Sequence, residues 1–278
     1  MMTWLIDWNP SPEIFSIGSF ALRWYNLCFV AGFTIGFFIM KRFFERENLP
    51  VEWLDSLLMY LVLATIIGAR LGHCLFYDWD YYSQHPLEMI LPFKFEPEVQ
   101  FTGFLGLASH GGAIGILIAM WLFSKRIAKK PILWVLDRVL VPTALACSFI
   151  RIGNLMNSEI VGDRTEVAWG FIFRQLGEDF ARHPVQLYES IAYFSIFWVL
   201  YYAYWKTKAY QQIGRLTGLF FVLMFSARFI LEYFKRSQGG VAESIGEAIS
   251  TGQLLSVPFV LVGIYLLARN PKDVNITT

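Results

Sequence analysis

Between Arg151 and Gly162 the chain reads Arg-Ile-Gly-Asn-Leu-Met-Asn-Ser-Glu-Ile-Val-Gly, directly after the apolar run Val139 to Ile150. Arginine, two asparagines and a glutamate are crowded between glycines at the mouth of a buried helix. Charge beside a membrane core is costly and is usually kept for function. A guanidinium is a planar fork that grips phosphate or carboxylate at two points. Arg151 therefore reads as a phosphate clamp, with the rest of the stretch as its scaffold.

Other polar residues stand out for the same reason. His110, in Ser109-His110-Gly111-Gly112, is expected about two turns into a span. An imidazole there can take a proton near neutral pH, and the glycines let a backbone or a lipid come close; a histidine that only hydrogen-bonds between helices is the plainer alternative. Arg228 and Glu232 are four apart and share a helix face. They are either a mutual ion pair, or Glu232 orients Arg228 toward a substrate. Arg70, near the outer end of a span, is a third candidate cation. Gln186 and Glu189 lie three apart just after His183-Pro184, and proline suits a first helical turn. Tyr25, in Arg23-Trp24-Tyr25-Asn26, reads alone as an interfacial anchor. Gln253 is either a helix-start contact or a site residue.

The elements that must position these groups are membrane spans. Of 278 residues, 56% are hydrophobic and 16% charged, with a mean hydropathy of +0.47; a soluble domain carries about 25% charged residues. Aromatics make up 18%, ten of them Trp, which suits interfacial belts; Tyr77, Trp79, Tyr81 and Tyr82 form one such cluster. About 20 apolar residues cross a bilayer, and seven runs qualify: 17–40, 53–76, 104–123, 133–150, 187–205, 216–234 and 252–268. The expected fold is an all-α polytopic membrane protein, one integral domain over 1–278, with outward loops at 77–103, 151–186 and 235–251. Val167 to Phe173 alternates weakly, as a short strand pair would. Met1 to Pro12 lacks the basic start and apolar core of a cleavable signal. Cys28, Cys74 and Cys147 sit in apolar runs as small buried hydrophobes, and no spacing suggests a metal site.

Basic residues set the orientation. Lys41, Arg42 and Arg46, then Lys125, Arg126, Lys129 and Lys130, then Lys206, Lys208 and Arg215, then Arg269 and Lys272 fall on alternate connections. These should be cytoplasmic, with the N-terminus outside and the C-terminus inside. Seven of those twelve are Lys, whereas nine of the other eleven basic residues are Arg. An excess of arginine where basic charge is normally scarce points to an anionic substrate met from outside; salt bridges to outer acids such as Glu159, Asp163, Glu178 and Glu232 are the alternative. The candidates Tyr25, Arg70, His110, Arg151, Gln186, Arg228 and Gln253 come from seven different spans, all from the outward side, and so predict one site open to the outer leaflet.

At this point the motifs resemble a known family. The 151–162 stretch resembles the signature of bacterial phosphatidylglycerol–prolipoprotein diacylglyceryl transferases. So do Arg23-Trp-Tyr25, Gly68-Ala-Arg70-Leu-Gly72, His110-Gly-Gly, His183-Pro-Val-Gln186-Leu-Tyr-Glu189, Arg228-Phe-Ile-Leu-Glu232 and Gly252-Gln253, in order from about residue 18 to 268. Asn26 stands where glycine is usual, His73 where tyrosine is usual, and Lys235 near a usual arginine. The resemblance implies transfer of diacylglyceryl from phosphatidylglycerol to the lipobox cysteine of a prolipoprotein in the bacterial inner membrane, with glycerol phosphate released. It implies no cofactor, no metal and no nucleic-acid partner. It casts Arg151 as head-group ligand, with Asn154, Glu159 and Gly162 shaping that turn. Arg228, held by Glu232, would stabilise the leaving phosphate, His110 would assist thiol deprotonation, and Tyr25 would line the pocket. Arg70, Gln186 and Glu189 complete the expected substrate-binding set. The nucleophile is the substrate's thiolate, so the enzyme needs no reactive cysteine of its own. The main rival from the residues alone is a transporter or flippase for an anionic lipid, which needs polar access from both faces.

Overall fold

The computed structural model describes residues 5–17, 20–95, 98–101, 106–236 and 249–269. In chain order the elements are β1 (Ile6–Trp8), β2 (Glu13–Ile17), β3 (Phe20–Arg23), α1 (Trp24–Arg46), α2 (Val51–Phe76), the short α3 (Trp79–Tyr82) and α4 (Pro86–Ile90), β4 (Phe93–Lys94), β5 (Gln100–Phe101), α5 (Ser109–Phe123), α6 (Ile132–Met156), β6 (Phe171–Phe173), α7 (Val185–Lys206), α8 (Arg215–Leu231) and α9 (Thr251–Ala268). A π-turn, Ser124–Ala128, prolongs α5, and a 3-10 turn, Glu232–Phe234, prolongs α8.

Six of these segments are long and apolar enough to cross a bilayer: α1, α2, His110–Ala128, α6, Arg215–Phe234 and α9. The chain is a mostly helical, multi-pass membrane protein. Seven spans were expected from the sequence. The remaining helix, α7, has 22 residues, but Gln186, Glu189, Ser190, Ser195 and five tyrosines (188, 193, 201, 202 and 204) lower its hydropathy.

Contacts divide the chain into two compact units, Met1–Arg42 with Leu136–Thr278, and Phe43–Val135. Helices in lipid gain little by hiding apolar surface from one another, so small residues and polar bonds hold them together. The first unit uses both. A Cβ on Gly32 of α1 would lie 3.1 Å from Ala146 Cα of α6. Ser148 and Ser190 bond α6 to α7, each hydroxyl donating to the other residue's carbonyl at 2.9 and 3.1 Å. Gly218 and Gly263 bring α8 and α9 together, where Phe225 and Phe259 stack at 4.2 Å. Asp137, 1% exposed, caps the start of α8 by accepting from Gly214 N (2.6 Å), Thr217 N (2.8 Å) and Thr217 Oγ1 (2.8 Å). A small outer layer covers the end of α6: β1 pairs in parallel with β6, and Leu155, Val161, Phe171 and Phe173 pack with Trp8 and Leu187.

In the second unit α2 and α5 meet backbone to backbone. A Cβ on Gly68 would lie 2.5 Å from Gly111 O, and one on Gly72 would lie 2.6 Å from Gly111 Cα. An apolar cleft of about 580 Å³ runs along the pair, walled by Leu63, Ile67, Leu71, Ile114 and Ile118. Beyond α2 the chain folds into an arm of α3, α4 and the β4–β5 hairpin around Glu88, which accepts from Phe95 N and Tyr81 Oη, both at 2.8 Å. The Phe95 amide, aided by the Tyr81 hydroxyl, holds the Glu88 carboxyl below its usual range.

Three span boundaries differ from expectation. The apolar residues before Trp24 form the β2–β3 hairpin, so α1 begins at 24 rather than 17. Helix α5 begins at Ser109 rather than 104, because Gly106 adopts φ +77° and residues 106–108 are non-helical. Residues 102–105 lie outside the described residues. Helix α6 runs on to Met156, so the polar cluster opening at Arg151 is helical and not a loop. Weak alternation at 167–173 does yield a strand, β6, although its partner is the distant β1.

Candidate active site

The last two turns of α6 carry Arg151 and Asn154 on one side of the helix, three residues apart. The helix stops by a left-handed turn: Ser158 has φ +53°, and Glu159 N returns to Asn154 O at 2.9 Å. Ile160, β-branched, is also left-handed at φ +57°, a conformation that surrounding contacts must enforce. This turn folds Glu159 back over the helix end. Asn154 Nδ2 donates to Glu159 Oε2 and Asn157 Nδ2 to Glu159 Oε1, both at 3.1 Å. Arg151 Nη1 donates to Asn154 Oδ1 at 3.2 Å. From α7, Gln186 Nε2 donates to the Glu159 carbonyl at 2.6 Å.

The other side of the Arg151 fork meets Glu189, also on α7. Arg151 Nε lies 2.9 Å from Glu189 Oε2, with the two side chains 16% and 2% exposed. Tyr193 Oη donates to Glu189 Oε1 at 3.4 Å. Lys235 Nζ approaches both Glu189 and Glu232 at 3.7 Å. Arg228, on α8, makes no hydrogen bond or ion pair among the described residues. Among the described residues, Arg151 and Lys235 contact Glu189, Glu232 and, through Asn154, Glu159; with Arg228 of α8 counted in, the cluster is formally neutral. It is rich in donors and suited to an anion that replaces carboxylate oxygens.

Behind it, Gly162 fastens three chain segments. Its amide donates to His183 O at 3.1 Å, its carbonyl accepts from Arg182 Nη1 at 3.1 Å, and the next amide, of Asp163, donates to Phe234 O at 2.9 Å. A Cβ at Gly162 would fall 2.5 Å from His183 O and 2.6 Å from Phe234 O, so no side chain fits. Arg182 also grips Glu178 (Nη2 to Oε1, 2.6 Å) and holds that carboxyl below its usual range. Burial pushes the His183 imidazole down, against the opposing pull of Asp163.

The family model for prolipoprotein diacylglyceryl transferase matches residues 12–269. The chain belongs to the prolipoprotein diacylglyceryl transferase family. A phosphatidylglycerol–prolipoprotein diacylglyceryl transferase of Tolumonas auensis is 44% identical over 97% of this chain and 99% of its own length. Transferases of the same name from Chloroherpeton thalassium and Porphyromonas gingivalis are 43% and 42% identical, covering 98% and 96% of this chain and 96% and 95% of their own lengths.

Within this prolipoprotein diacylglyceryl transferase fold, the first unit gathers Arg151, Asn154, Glu159, Gly162, Gln186, Glu189, Arg228 and Glu232. Tyr25 packs from α1 against α6 at Gly153, where a Cβ would lie 2.9 Å from Tyr25 Cδ2. One expected contact does not form. Arg228 is not held by Glu232, because the helix tightens to a 3-10 turn at Glu232 and the carboxylate goes to Lys235. Gln253 closes a capping box with Ser250, bonding at 3.0 and 3.1 Å, and donates to Phe229 O at 3.3 Å, which is the helix-start reading.

The second unit carries the other two candidates. Arg70, 6% exposed, donates to the carbonyls of Glu88 (2.6 Å) and Met89 (3.2 Å) and lies over the Tyr82 ring at 4.8 Å. It secures the arm. His110 is exposed in the first turn of α5, not two turns inside it. Of the other arginines expected on the outward side, Arg23 pairs with Glu13, Arg174 with Asp7 and Arg182 with Glu178, which is the salt-bridge alternative. Sequence reasoning left Lys235 and Asn157 out of the site; the spacing of Lys235, three after Glu232, was the available signal.

Proposed function

We infer that the chain moves the diacylglyceryl group of phosphatidylglycerol onto the lipobox cysteine of a prolipoprotein. The thiol loses its proton, sulfur bonds to the glyceryl carbon, the carbon–oxygen bond to phosphate breaks, and glycerol phosphate leaves with that electron pair. The observation that supports this most is the buried pair of Arg151 with Glu189, whose carboxylate Tyr193 and Lys235 also approach, with Arg228 on α8 making no ion pair among the described residues. Such a site can hold the diester through Arg151 and meet the charge that grows on the leaving phosphate with Arg228. Asn154, Glu159 and Gly162 fix the Arg151 turn. Gln186 and Glu189 position it from α7, and Glu232 balances the cluster through Lys235. Tyr25 lines the pocket beside Gly153, and Arg70 steadies the arm of α3, α4 and the β4–β5 hairpin. His110 is assigned the thiol proton: it is exposed and makes no hydrogen bond among the described residues, so it is open to a substrate.

In this reading α7 is the seventh span, its polar face turned to the site. The protein is one membrane domain in the bacterial inner membrane, with its N-terminus outside, its C-terminus in the cytoplasm and the site open to the outer leaflet. The test is to incubate purified protein with phosphatidylglycerol and a lipobox peptide and to follow the mass gain on the peptide cysteine. The wild-type protein should give the diacylglyceryl adduct, and His110→Gln should lower the rate by roughly 10²–10³. No adduct from wild-type protein sinks the assignment, and full activity in the variant removes His110 as base.

A further inference from the structure

The turn after α6 leaves acceptors without donors. Asn154 and Asn157 both direct their NH₂ groups at the Glu159 carboxylate, and Gln186 directs its own at the Glu159 carbonyl. Only a donor can face those oxygens, so the three amide orientations are fixed. Asn154 Oδ1 is then used by Arg151. Among the described residues Asn157 Oδ1 and Gln186 Oε1 have no partner, and neither has the Ser158 hydroxyl. Gln186 is 0% and Ser158 3% exposed. A buried acceptor left unpaired costs about 1–3 kcal/mol, and here three such oxygens surround Glu159, one hydrogen-bonded chain away from the Arg151 fork. They are not the usual furniture of a helix end: the backbone at this cap is already satisfied by the Glu159 N to Asn154 O and Ser158 N to Leu155 O bonds.

We propose that Asn157, Ser158 and Gln186 form a polyol-reading subsite, whose free oxygens accept hydrogen bonds from the hydroxyls of the lipid's head-group alcohol while Arg151 holds the adjoining phosphate. This rests on the function inferred above and adds to it the basis of head-group choice. A phosphate ester of a polyhydroxy alcohol supplies an anion and hydroxyl donors together, which is the complement of a guanidinium beside unpaired acceptors. A lipid whose head group lacks hydroxyls would enter with those oxygens still stranded. Sites built to bond a substrate hydroxyl reject analogues without it far more strongly than apolar pockets reject an extra group.

The experiment compares two donors in the same assay with the full-length protein: phosphatidylglycerol, and phosphatidylpropanol, which keeps the phosphodiester and the three-carbon chain but has no free hydroxyl. The wild-type protein should favour phosphatidylglycerol by roughly 10² in kcat/KM. Ser158→Gly removes one acceptor at a position where glycine tolerates the positive φ. It should shrink the preference at least about fivefold, by loss on phosphatidylglycerol, while changing phosphatidylpropanol turnover less than about threefold. Equal use of both lipids by the wild-type protein overturns the proposal. So does an equal loss on both lipids in Ser158→Gly, which would mark this side chain as scaffold only. Transfer from neither lipid is a different result: it removes the underlying transferase reading and not the subsite alone.

Discussion

The α6–α7–α8 end of the first unit and the α2–α5 pair of the second solve the same problem in opposite ways. At the first, helices are tied by side chains: Arg151 to Glu189, Gln186 to the Glu159 carbonyl, Ser148 to Ser190. At the second, they touch through Gly68, Gly72, Gly111 and Gly115, with backbone against backbone. Glycine contacts give strength without chemistry. They can be spoiled only by adding atoms, and they offer nothing to a phosphate. Ion pairs at the first region give modest strength, since burying charges costs about what pairing them returns. They do supply donors that a lipid head group can take over. Activity and stability should therefore separate between the two regions.

Arg151→Ala should show this most clearly. Transfer to the lipobox peptide is expected to fall by at least about 10³, some 4 kcal/mol in the barrier, while the protein remains folded and monodisperse with Tm within a few degrees of wild type. Collapse of Tm instead would mean that the cluster holds the fold up. Gly115→Leu should do the reverse. Its new side chain must displace the Ala64 carbonyl, costing about 3 kcal/mol or more, so folded yield drops and whatever folds keeps its rate per active molecule. Between these lies Asp137→Ala, which strands the two amides and the hydroxyl that cap α8. A loss of about 2–4 kcal/mol in thermal unfolding is expected, with transfer affected only through stability.

A smaller effect concerns acid. His183 titrates below its usual value because it is buried, and Glu178 does so because Arg182 binds its carboxylate. Both groups hold more protons unfolded than folded in their windows, so stability rises with pH there. The His183 contribution is complete above its reference value of 6.5 and is lost as pH falls below it. The Glu178 contribution survives until pH drops beneath 4.5. Tm measured between pH 8 and 5 should fall slightly in wild type, on the order of 1–2 °C, and stay flat in His183→Gln. An equal fall in both proteins would show that this loop is not acid-sensitive through His183.

Helices were legible where hydrophobicity alone sets them. The expected spans 53–76, 216–234 and 252–268 match Val51–Phe76, Arg215–Phe234 and Thr251–Ala268 to within two residues. Ends were legible only where polarity coincides with a cap. Arg151 and Asn154 look like the start of a loop, but they sit in the final turns of α6 because the stop signal is the left-handed Ser158, whose conformation composition does not announce. At the other extreme, Ala21 and Leu22 look like span and form a hairpin instead, since short apolar runs fit either structure. Most residues of the polar cluster around Arg151 stood out in the sequence as unexpected polarity in a greasy chain. The wiring of that cluster did not. Four-residue spacing predicted Arg228 with Glu232, and a local 3-10 tightening sent that carboxylate to Lys235.

The balance of three cations against three carboxylates in that wiring has a consequence for how lipid arrives. A cleft with surplus positive charge draws anions from a distance, and dissolved ions blunt that pull within about 10 Å at 0.1 M. Among the described residues this cluster has no surplus to project. Recognition is then a short-range exchange, in which the diester replaces carboxylate oxygens already in place. Turnover should hardly change between 0.05 and 0.5 M sodium chloride (less than about twofold), whereas a steep fall with added salt would reveal long-range steering.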